Sequence, residues 1–573
     1  MRRTMALLLL VAAALGHGEN ARTQASAWGT PAGTFVRPGG RDPMPGPGDR
    51  PPSPSTSPDR TKRHTWETWW SYHREYYLAV RARGVPLTGP RAAADRAGAK
   101  QLREGRLTDL MIEAIGDKDP DVRAAAAIAL GKFGLSTGVA RALERHVNDE
   151  RFDVRESSIY AIGLLGLPEY RLYLGNLTRD RERGAKEQGL ALAGLMMDGT
   201  KESADALVAQ ARGSEPDRRR FAAHLLGFVD HPGYDDFLGQ IITGGRPWED
   251  HERGLAITAL GRRRAREQKE ALFRTLYQHD PDLNIIRSAA IALGMLLAPG
   301  DESDLKRLAR FIRDSRRDTI AQNFGVMALG QVGGDTAVEQ LRDLLSGRVF
   351  GDAEDRAFVY LALGLAGLRS EKARETLVSE YDRARSEVEI SVLALACGLA
   401  RAKEAIPITL DRLAKPGGAR DGPGLGARGR FAGWAALGLG FHGEASGTDA
   451  ARRVFEGSND PVVREQAAIG LTLLLRAAVV PELISILRDS GTLHGKAAAV
   501  AAFAVLPEAS PEAVDALVAV YREDGIPNPV RAMAISALGA LADPRPIPVS
   551  ALLSRNYNYY IRCLALDEIV TYL

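Results

Sequence analysis

Almost everything that would announce a chemistry is scarce in this chain of 573 residues. Its two cysteines, Cys397 and Cys563, form no Cys-x-x-Cys pair, and no His-x-x-x-His pair joins them, so the spacing of a structural zinc site is missing. The phosphate-cradling G-x-x-x-x-G-K-[ST], the H-E-x-x-H of zinc proteases and the calcium-binding EF-hand loop are also missing. Neither sign of charge is in excess. The 75 basic residues face 72 acidic ones, and the formal net charge of +3 exerts no general pull toward nucleic acid. Aromatics make up 6% of the chain, and beyond its first residues no segment of transmembrane length is free of charges. The ten histidines, among them His224, His231, His251, His279 and His442, share no repeated spacing. No catalytic residue, metal ligand or cofactor site is therefore expected, and the chain is read as a non-enzyme. Only a catalytic set gathered from distant loops would leave no such trace.

Alanine, leucine and glycine are plentiful instead, and they recur periodically. The stretch from Asp119-Pro120-Asp121-Val122-Arg123 to Ala129-Leu130-Gly131 returns in looser form at Asp280-Pro281 through Gly294, at Asp460-Pro461-Val462-Val463-Arg464 and at Asn528-Pro529-Val530-Arg531. Aligned on the glycine that ends the Ala-Leu-Gly signature, the units fall at Gly131, Gly163, Gly194, Gly227, Gly261, Gly294, Gly330, Gly364, Gly398, Gly438, Gly470 and Gly539. Successive steps run from 31 to 36 residues, with one of 40 and one of 69 that holds two units, Ala498 to Ala504 filling the middle. A degenerate last unit at 557–573 brings the total to about fourteen.

Each unit reads as a helix pair. Asp119 is a good N-cap and Pro120 suits the first turn. Val122, Ala126, Ala129, Leu130 and Phe133 form one apolar face, which Ala125 and Ile128 widen as in a helix packed on two sides. Gly131 and Gly134 loosen the end, and a second helix follows from Val139 to Val147. Such units stack into an all-α array, an α-solenoid over 104–573, whose core grows lengthwise and escapes the size limit of a single compact domain. Cys397 and Cys563 lie 166 residues apart, near five units. At about 10 Å per stacked helix they are too distant for a disulfide, which needs Cα atoms within about 7 Å. Two free, buried thiols are expected.

The front of the chain reads as an address. Arg2 and Arg3 precede the apolar run Met5–Leu15, and Ala25-Ser26-Ala27 offers a small-residue cleavage site, with Ala14-Leu15-Gly16 as a second. This is the order of a secretory signal peptide, assigned to 1–27, and the run is too short to span a bilayer. Residues 28–60 are rich in Pro, Gly, Ser and Thr and read as a disordered tether. Order resumes at 61–103, where Trp66, Trp69, Trp70, His73, Tyr77 and Val80 form one stripe of a helix capped by Thr65. One reading of this aromatic head is a cap over the apolar face of the first repeat. The other is a site that stacks on a carbohydrate or a peptide.

The recurring D-P-x-V-R-x-x-A-x-x-A-L-G resembles the HEAT-repeat family, in the short form related to phycobilin-lyase-type repeats, over about 104–573. The resemblance implies a helix carrying the Val-Arg pair on the concave face and Asp–Arg contacts laddering between neighbours. Asp119 with Arg123, Arg155, Arg464 and Arg531 would be ladder residues, and the ladder would be interrupted near Gly254 and Phe358, where the pair is missing. These positions are structural, so the resemblance speaks to fold more than to activity.

Two features break the period. Lys415 to Gly424 is an inserted flexible loop, of the kind that projects from one edge of a solenoid. The neighbouring Gly424-Leu425-Gly426-Ala427-Arg428-Gly429 matches G-x-G-x-x-G but lacks the preceding strand that dinucleotide binding requires. Arginines also concentrate in successive units, with Arg219 and Arg220, Arg263 and Arg264, and Arg313 and Arg317 the candidate partner-binding residues alongside Trp66, Trp69 and Trp70. They form either a solvated edge paired with acids or a basic stripe for an acidic protein or polymer. The function expected is a non-catalytic protein-interaction scaffold in the bacterial periplasm or outside the cell, with no cofactor and no nucleic acid. The alternatives are a phycobilin-lyase-like enzyme, or a polyanion or nucleic-acid binder acting through the arginines.

Overall fold

The computed structural model describes residues 106–543 with gaps at 135–136, 168, 198–199, 230–232, 244–247, 279–281, 315–317, 348, 415–428 and 490–491. It also describes 65–67, 69–70, 73–74, 77–78, 552–553 and 561–562. The signal peptide, the tether, the 415–424 loop with its glycine motif, Arg317, Cys563 and most of the degenerate last unit lie outside the described residues.

Helix pairs fill the described array. The first units are α1 (Thr108–Ala114), α2 (Pro120–Phe133), α3 (Thr137–His146), α4 (Phe152–Leu164), α5 (Tyr170–Leu177), α6 (Ala185–Met197), α7 (Lys201–Ala211) and α8 (Pro216–Leu226). Then come α9 (Asp235–Thr243), α10 (Asp250–Arg263), α11 (Lys269–Leu276), α12 (Leu283–Leu296), α13 (Glu302–Asp314), α14 (Thr319–Val332), α15 (Gly334–Ser346), α16 (Ala353–Ala366) and α17 (Glu371–Arg383). The last are α18 (Glu387–Ala400), α19 (Ala405–Ala414), α20 (Arg430–His442), α21 (Thr448–Gly457), α22 (Pro461–Leu475), α23 (Val480–Asp489), α24 (Leu493–Ala504), α25 (Pro511–Arg522) and α26 (Asn528–Ala542). Even-numbered helices are the signature helices, with alanines in place of the glycine in α24, and odd-numbered ones are their partners.

Local chemistry explains both kinds. The Asp119 carboxylate accepts from the Asp121 and Val122 amides at 3.0 and 3.2 Å, and Asp460 repeats this with Val462 and Val463. Signature helices are buried on several sides, whereas partner helices are amphipathic. In α13, Leu305, Leu308, Ala309 and Ile312 point inward while Lys306 and Arg310 are exposed.

Signature helices pack directly on one another, glycine against a small residue. A Cβ on Gly131 would lie 2.7 Å from the Ala161 Cα, one on Gly261 2.6 Å from the Ala292 Cα, and one on Gly330 2.6 Å from the Ala362 Cα. The receiving residue stands two places before the next unit's own glycine. This contact corrects the sequence alignment at three units. Gly194, Gly438 and Gly470 are the receiving residues for Gly163, Gly398 and Gly440, so in α20 the register glycine is Gly440.

The signature helices stack closely and continuously, while the partner helices touch one another far less. Each unit is therefore a wedge, narrow at the signature helix, and the array curves with the signature helices inside. Curvature goes to completion, since α26 packs on α2 as each signature helix packs on its neighbour. A Cβ on Gly539 would lie 3.1 Å from that of Ala129. Arg531 reaches Asp117 at 2.6 Å, Arg522 reaches Glu113 at 2.9 Å, and Arg106 reaches Asp515 at 2.6 Å. The sequence reading expected an elongated stack with a curved groove; the thirteen described units instead close into a ring. At 8–10 Å between helix axes the circle of axes is roughly 35 Å across, which leaves an interior roughly 25 Å wide.

Two further expectations change. Within the expected last helical unit, Ile561 and Arg562 pair antiparallel with Leu553 and Leu552 in a two-residue ladder. The run Pro461–Arg488 is long and apolar enough to cross a membrane by length and composition. It comprises α22, a short turn opening at Arg476 with φ 55°, and α23, and α22 is packed between α20 and α24.

Candidate partner-binding site on the inner wall

The faces of α20 fix the geometry of the wall. Leu439 packs with Ile406 of α19 and Ala450 of α21, so that side meets the outer layer. Gly438 and Gly440 meet α18 and α22. Trp434 and Phe441, seven residues apart, share the remaining side and face the interior of the ring.

The aromatic head lies there. Its described residues between 66 and 78 are helical. Trp66 packs on Trp434 with ring centroids 4.7 Å apart, and Trp70 meets Phe441 edge-on at 5.9 Å. Arg74 pairs with Glu465 of α22 at 3.2 Å. Trp66 and Trp70 are 1% and 2% exposed. Trp69 stacks on His73 at 3.9 Å, and the Nδ1 of His73 lies 2.7 Å from the Trp69 carbonyl. Burial lowers the His73 pKa to about 4, opposed by that backbone contact, so the ring is neutral at pH 7. The stripe read from the sequence is real, but its described residues sit on α20 and α22 and not over the first repeat. The first repeat needs no such cover, because α26 already supplies it.

Glu67 lies at the rim of this contact. Burial raises its pKa; Arg430 and a hydrogen bond with Trp434 oppose the rise, and Glu387 adds to it. Glu354 is raised likewise, by burial and then by Glu67. Arg430 stands ten residues before its register glycine. The equivalent positions in α2 and α4 hold Asp121 and Asp153, and in α6 Lys186, which pairs with Glu156 at 2.7 Å. Asp153 is 2% exposed, and neither carboxylate oxygen has a hydrogen-bond partner. Burial, then Glu156 and Asp121, push its pKa up to about 7, against Arg151 and Lys186.

The candidate arginines do not assemble into a stripe among the described residues. Arg219 is 5% exposed, pairs with Glu252 at 3.0 Å and donates to the Gly213 and Ser214 carbonyls. Arg220 pairs with Asp217 in its own helix, and Arg263 pairs with Asp235 and the Val229 carbonyl. Arg264 is an exposed C-cap with φ 53°. Arg313 lies on an outer helix, 3.1 Å from Gln340 and 3.6 Å from Asp343. Arg219 belongs instead to a ladder in which the arginine of one unit grips the acid before or within the next signature helix. Arg123 is bidentate to Asp149 at 2.9 and 3.0 Å, Arg155 reaches Glu187, Arg287 reaches Asp318 and Arg356 reaches Glu389. Asp119 is a cap and not a rung. The ladder is broken near Gly254, where Arg253 turns back to Asp250 and the Ile242 carbonyl, but it is intact beside Phe358. Arg464 donates to the Ser458 carbonyl at 2.5 Å and, across to the next unit, to the Thr492 hydroxyl at 3.2 Å where other rungs have an acid.

Cys397 is free and fully buried, and burial raises its pKa far above the ordinary thiol range, so it is inert. His224 and His442 are also buried, and His224 is held neutral by burial and by Arg262. Sequence reasoning missed the docking face of Trp434, Phe441 and Glu465. Its signal was the large aromatics Trp434 and Phe441, seven residues apart in α20, a helix that also carries Phe431 and is otherwise rich in alanine, glycine and leucine. A sequence reading that finds no G-x-S-x-G in the chain is also wrong, since Gly134-Leu135-Ser136-Thr137-Gly138 has that spacing. It joins two helices, whereas a nucleophile elbow needs a strand before the turn.

Residues 89–163 match the family model for HEAT repeats. The array is a HEAT-repeat solenoid. No curated protein sequence matches the chain significantly. Among solved structures, human deoxyhypusine hydroxylase in complex with glycerol is similar at 16% identity, over 62% of this chain and 99% of that one, with a TM-score of 0.22. Kap121p bound to Pho4p is similar at 13% identity and a TM-score of 0.35, and Kap121p bound to the SUMO protease Ulp1p at 13% and 0.36. In both, 82% of this chain is covered but only 56% of Kap121p.

Proposed function

We propose that this HEAT-repeat ring is a non-catalytic scaffold that binds a protein partner on its inner wall. The observation that carries the reading is the α20–α22 face, which already holds an aromatic helix through Trp434, Phe441 and Glu465. Two buried ring contacts and an ion pair set side by side are the chemistry by which helical repeats hold other helices. The arginines support a polyanion reading poorly, since Arg219 and Arg263 are committed to Glu252 and Asp235. Arg2, Arg3 and the apolar run after them support export to the periplasm or the cell exterior.

Crosslinking of the full-length chain in envelope extracts tests the reading. A captured partner is expected to crosslink to Lys132 and Lys186 on signature helices, in preference to Lys306 and Lys372 on the outer layer. Crosslinks confined to the outer layer, or no saturable capture, would overturn it. N-terminal sequencing of the mature protein tests export, with a start after Ala27 or Gly16 expected and an intact Met1 overturning it.

A further inference from the structure

One joint of the ring is built unlike the others. Gly194 receives Gly163, so the register place of α6 is two residues on, at Met196, and the receiving place of α8 is Leu225, two before Gly227. Elsewhere a register glycine meets an alanine, as at Gly131 and Gly261, or a second glycine, as at Gly163 and Gly440. Between α6 and α8 the pair is a methionine and a leucine, and the distance between helix axes follows the bulk of the side chains at the contact. These two helices accordingly touch less than any other pair of neighbouring signature helices.

The rung is missing as well. Gln188 stands eight places before Met196, where α2 has Arg123 and α4 has Arg155. Its amide donates to the Asp180 and Arg183 carbonyls at 2.6 and 3.3 Å, in the loop that leads into α6, and its Oε1 accepts from Arg218 of α8 at 3.1 Å. Among the described residues this joint has no ion pair, since the charged side chains of α6 turn back to α4, Lys186 to Glu156 at 2.7 Å and Glu187 to Arg155 at 2.9 Å. The next joint keeps both devices, with Gly227 against Ala259 and Arg219 paired with Glu252 at 3.0 Å. The seam is held by Arg531–Asp117, Arg522–Glu113 and Arg106–Asp515.

One large contact crosses the joint. Gly189 is a notch in α6, and the Phe221 ring of α8 fills it so fully that a Cβ on Gly189 would overlap the ring. Phe221 is buried by this fit. The outer helix α7 packs more extensively on α8 than on α6, so it goes with α8 if the joint parts.

We propose that the ring opens at the joint between α6 and α8, with the Phe221 ring in the Gly189 notch as its latch, while the seam between α26 and α2 stays closed. In an array of nearest-neighbour interfaces the least stable one parts first, and the units on either side stay folded. Parting separates α6 from α8 and from α7 together, and it turns α6 and α8 into the tips of a linear array. It also gives a folded partner a lateral way to the inner wall, and this consequence alone rests on the scaffold reading.

Hydrogen exchange of the full-length chain, resolved by peptide, is the measurement. Amides of α6 and α8 are expected to be about tenfold less protected than those of α16 and α18. Gly189→Ala favours the helix but displaces Phe221, and is expected to lower the protection of α6 and α8 further and to lengthen the maximum dimension in small-angle scattering. Gln188→Arg sets a second arginine against Arg218 and is expected to act likewise. Q188R/R218E supplies a rung like Arg155–Glu187 and is expected to raise protection in both helices above that of the unaltered protein. Lowest protection at α26 and α2, equal protection around the ring, or exchange and scattering unmoved by Gly189→Ala would overturn the proposal. If Gly189→Ala loses its helical circular dichroism, Q188R and Q188R/R218E decide the matter, and equal protection in the two overturns it. A ring that opens here but captures no partner would end the scaffold reading and leave the gate. Capture by a ring of uniform protection would end the gate and leave the scaffold.

Discussion

Arg531 and Asp117 stand 414 residues apart in the chain and 2.6 Å apart in the fold. Their contact repeats the rung made by Arg123 with Asp149 and by Arg155 with Glu187, so the seam between the last and first units is of the same kind as the internal interfaces. Both side chains are mostly buried, with 21% and 10% of their surface exposed.

Charge reversal at this rung should open the ring. Asp117→Lys leaves Arg531 facing a like charge, at a cost of about 2–4 kcal/mol localised at the seam. Small-angle scattering should show a longer maximum dimension, and the double variant Asp117→Arg with Arg531→Asp should restore the compact one. An unchanged scattering profile for Asp117→Lys would show that Arg522–Glu113, Arg106–Asp515 and the Gly539–Ala129 contact hold the seam unaided.

The glycine wall predicts a graded response to added volume. Gly330→Val places atoms where the Ala362 Cα and Cβ already lie 2.6 Å from a Cβ, and should cost about 1–3 kcal/mol or more. Gly300→Ala meets nothing within 4 Å and should be near neutral. Thermal denaturation followed by circular dichroism separates the two, and equal midpoints would contradict the packing described.

Asp153 should make the protein less stable as pH rises. Its folded pKa of about 7 lies above the unfolded value of 3.8, so its contribution is favourable below pH 4 and is lost as pH climbs to 7. Asp153→Asn should therefore raise the midpoint of thermal unfolding at pH 8, on the order of 1–3 °C, and leave it unchanged near pH 4. The opposite order would mean that the Arg151 guanidinium, 3.8 Å away, holds the carboxylate ionised against its burial.

His73 predicts the reverse dependence for the docked helix. Its pKa falls from 6.5 to about 4 in the fold, so docking is favoured above pH 6.5 and weakened as pH falls toward 4. Trp66 and Trp70 should become solvent-exposed over that range, seen as a red shift of tryptophan emission. His73→Phe should abolish the shift while preserving the stack on Trp69.

The sequence makes the repeating unit legible because its causes are local. Caps at Asp119 and Asp460, alternating apolar faces and the small-residue signature each act within one helix pair. Closure is not local: a few degrees of rotation per unit, summed over thirteen units, separates an open superhelix from a ring. Yet one trace of it was present. Asp117 occupies the place of a rung acid in the first described unit, and Gly539 offers the register contact in the last described one. The register at α20 was ambiguous because Gly438-Leu439-Gly440 offers two glycines, and only the contact with Gly470 decides between them. The docking face escaped notice because it needs residues of 66–74 and 434–465 to meet, and no spacing rule links them.

A linear repeat protein melts from its tips, where the outermost units have one neighbour instead of two. Here the first and last described units are each other's neighbours, so the array has no tip from which fraying begins. Hydrogen exchange should therefore show no gradient of protection from either terminus of the array toward its middle. The first opening must break two interfaces at once, after which the molecule behaves as an ordinary chain of units with two free ends.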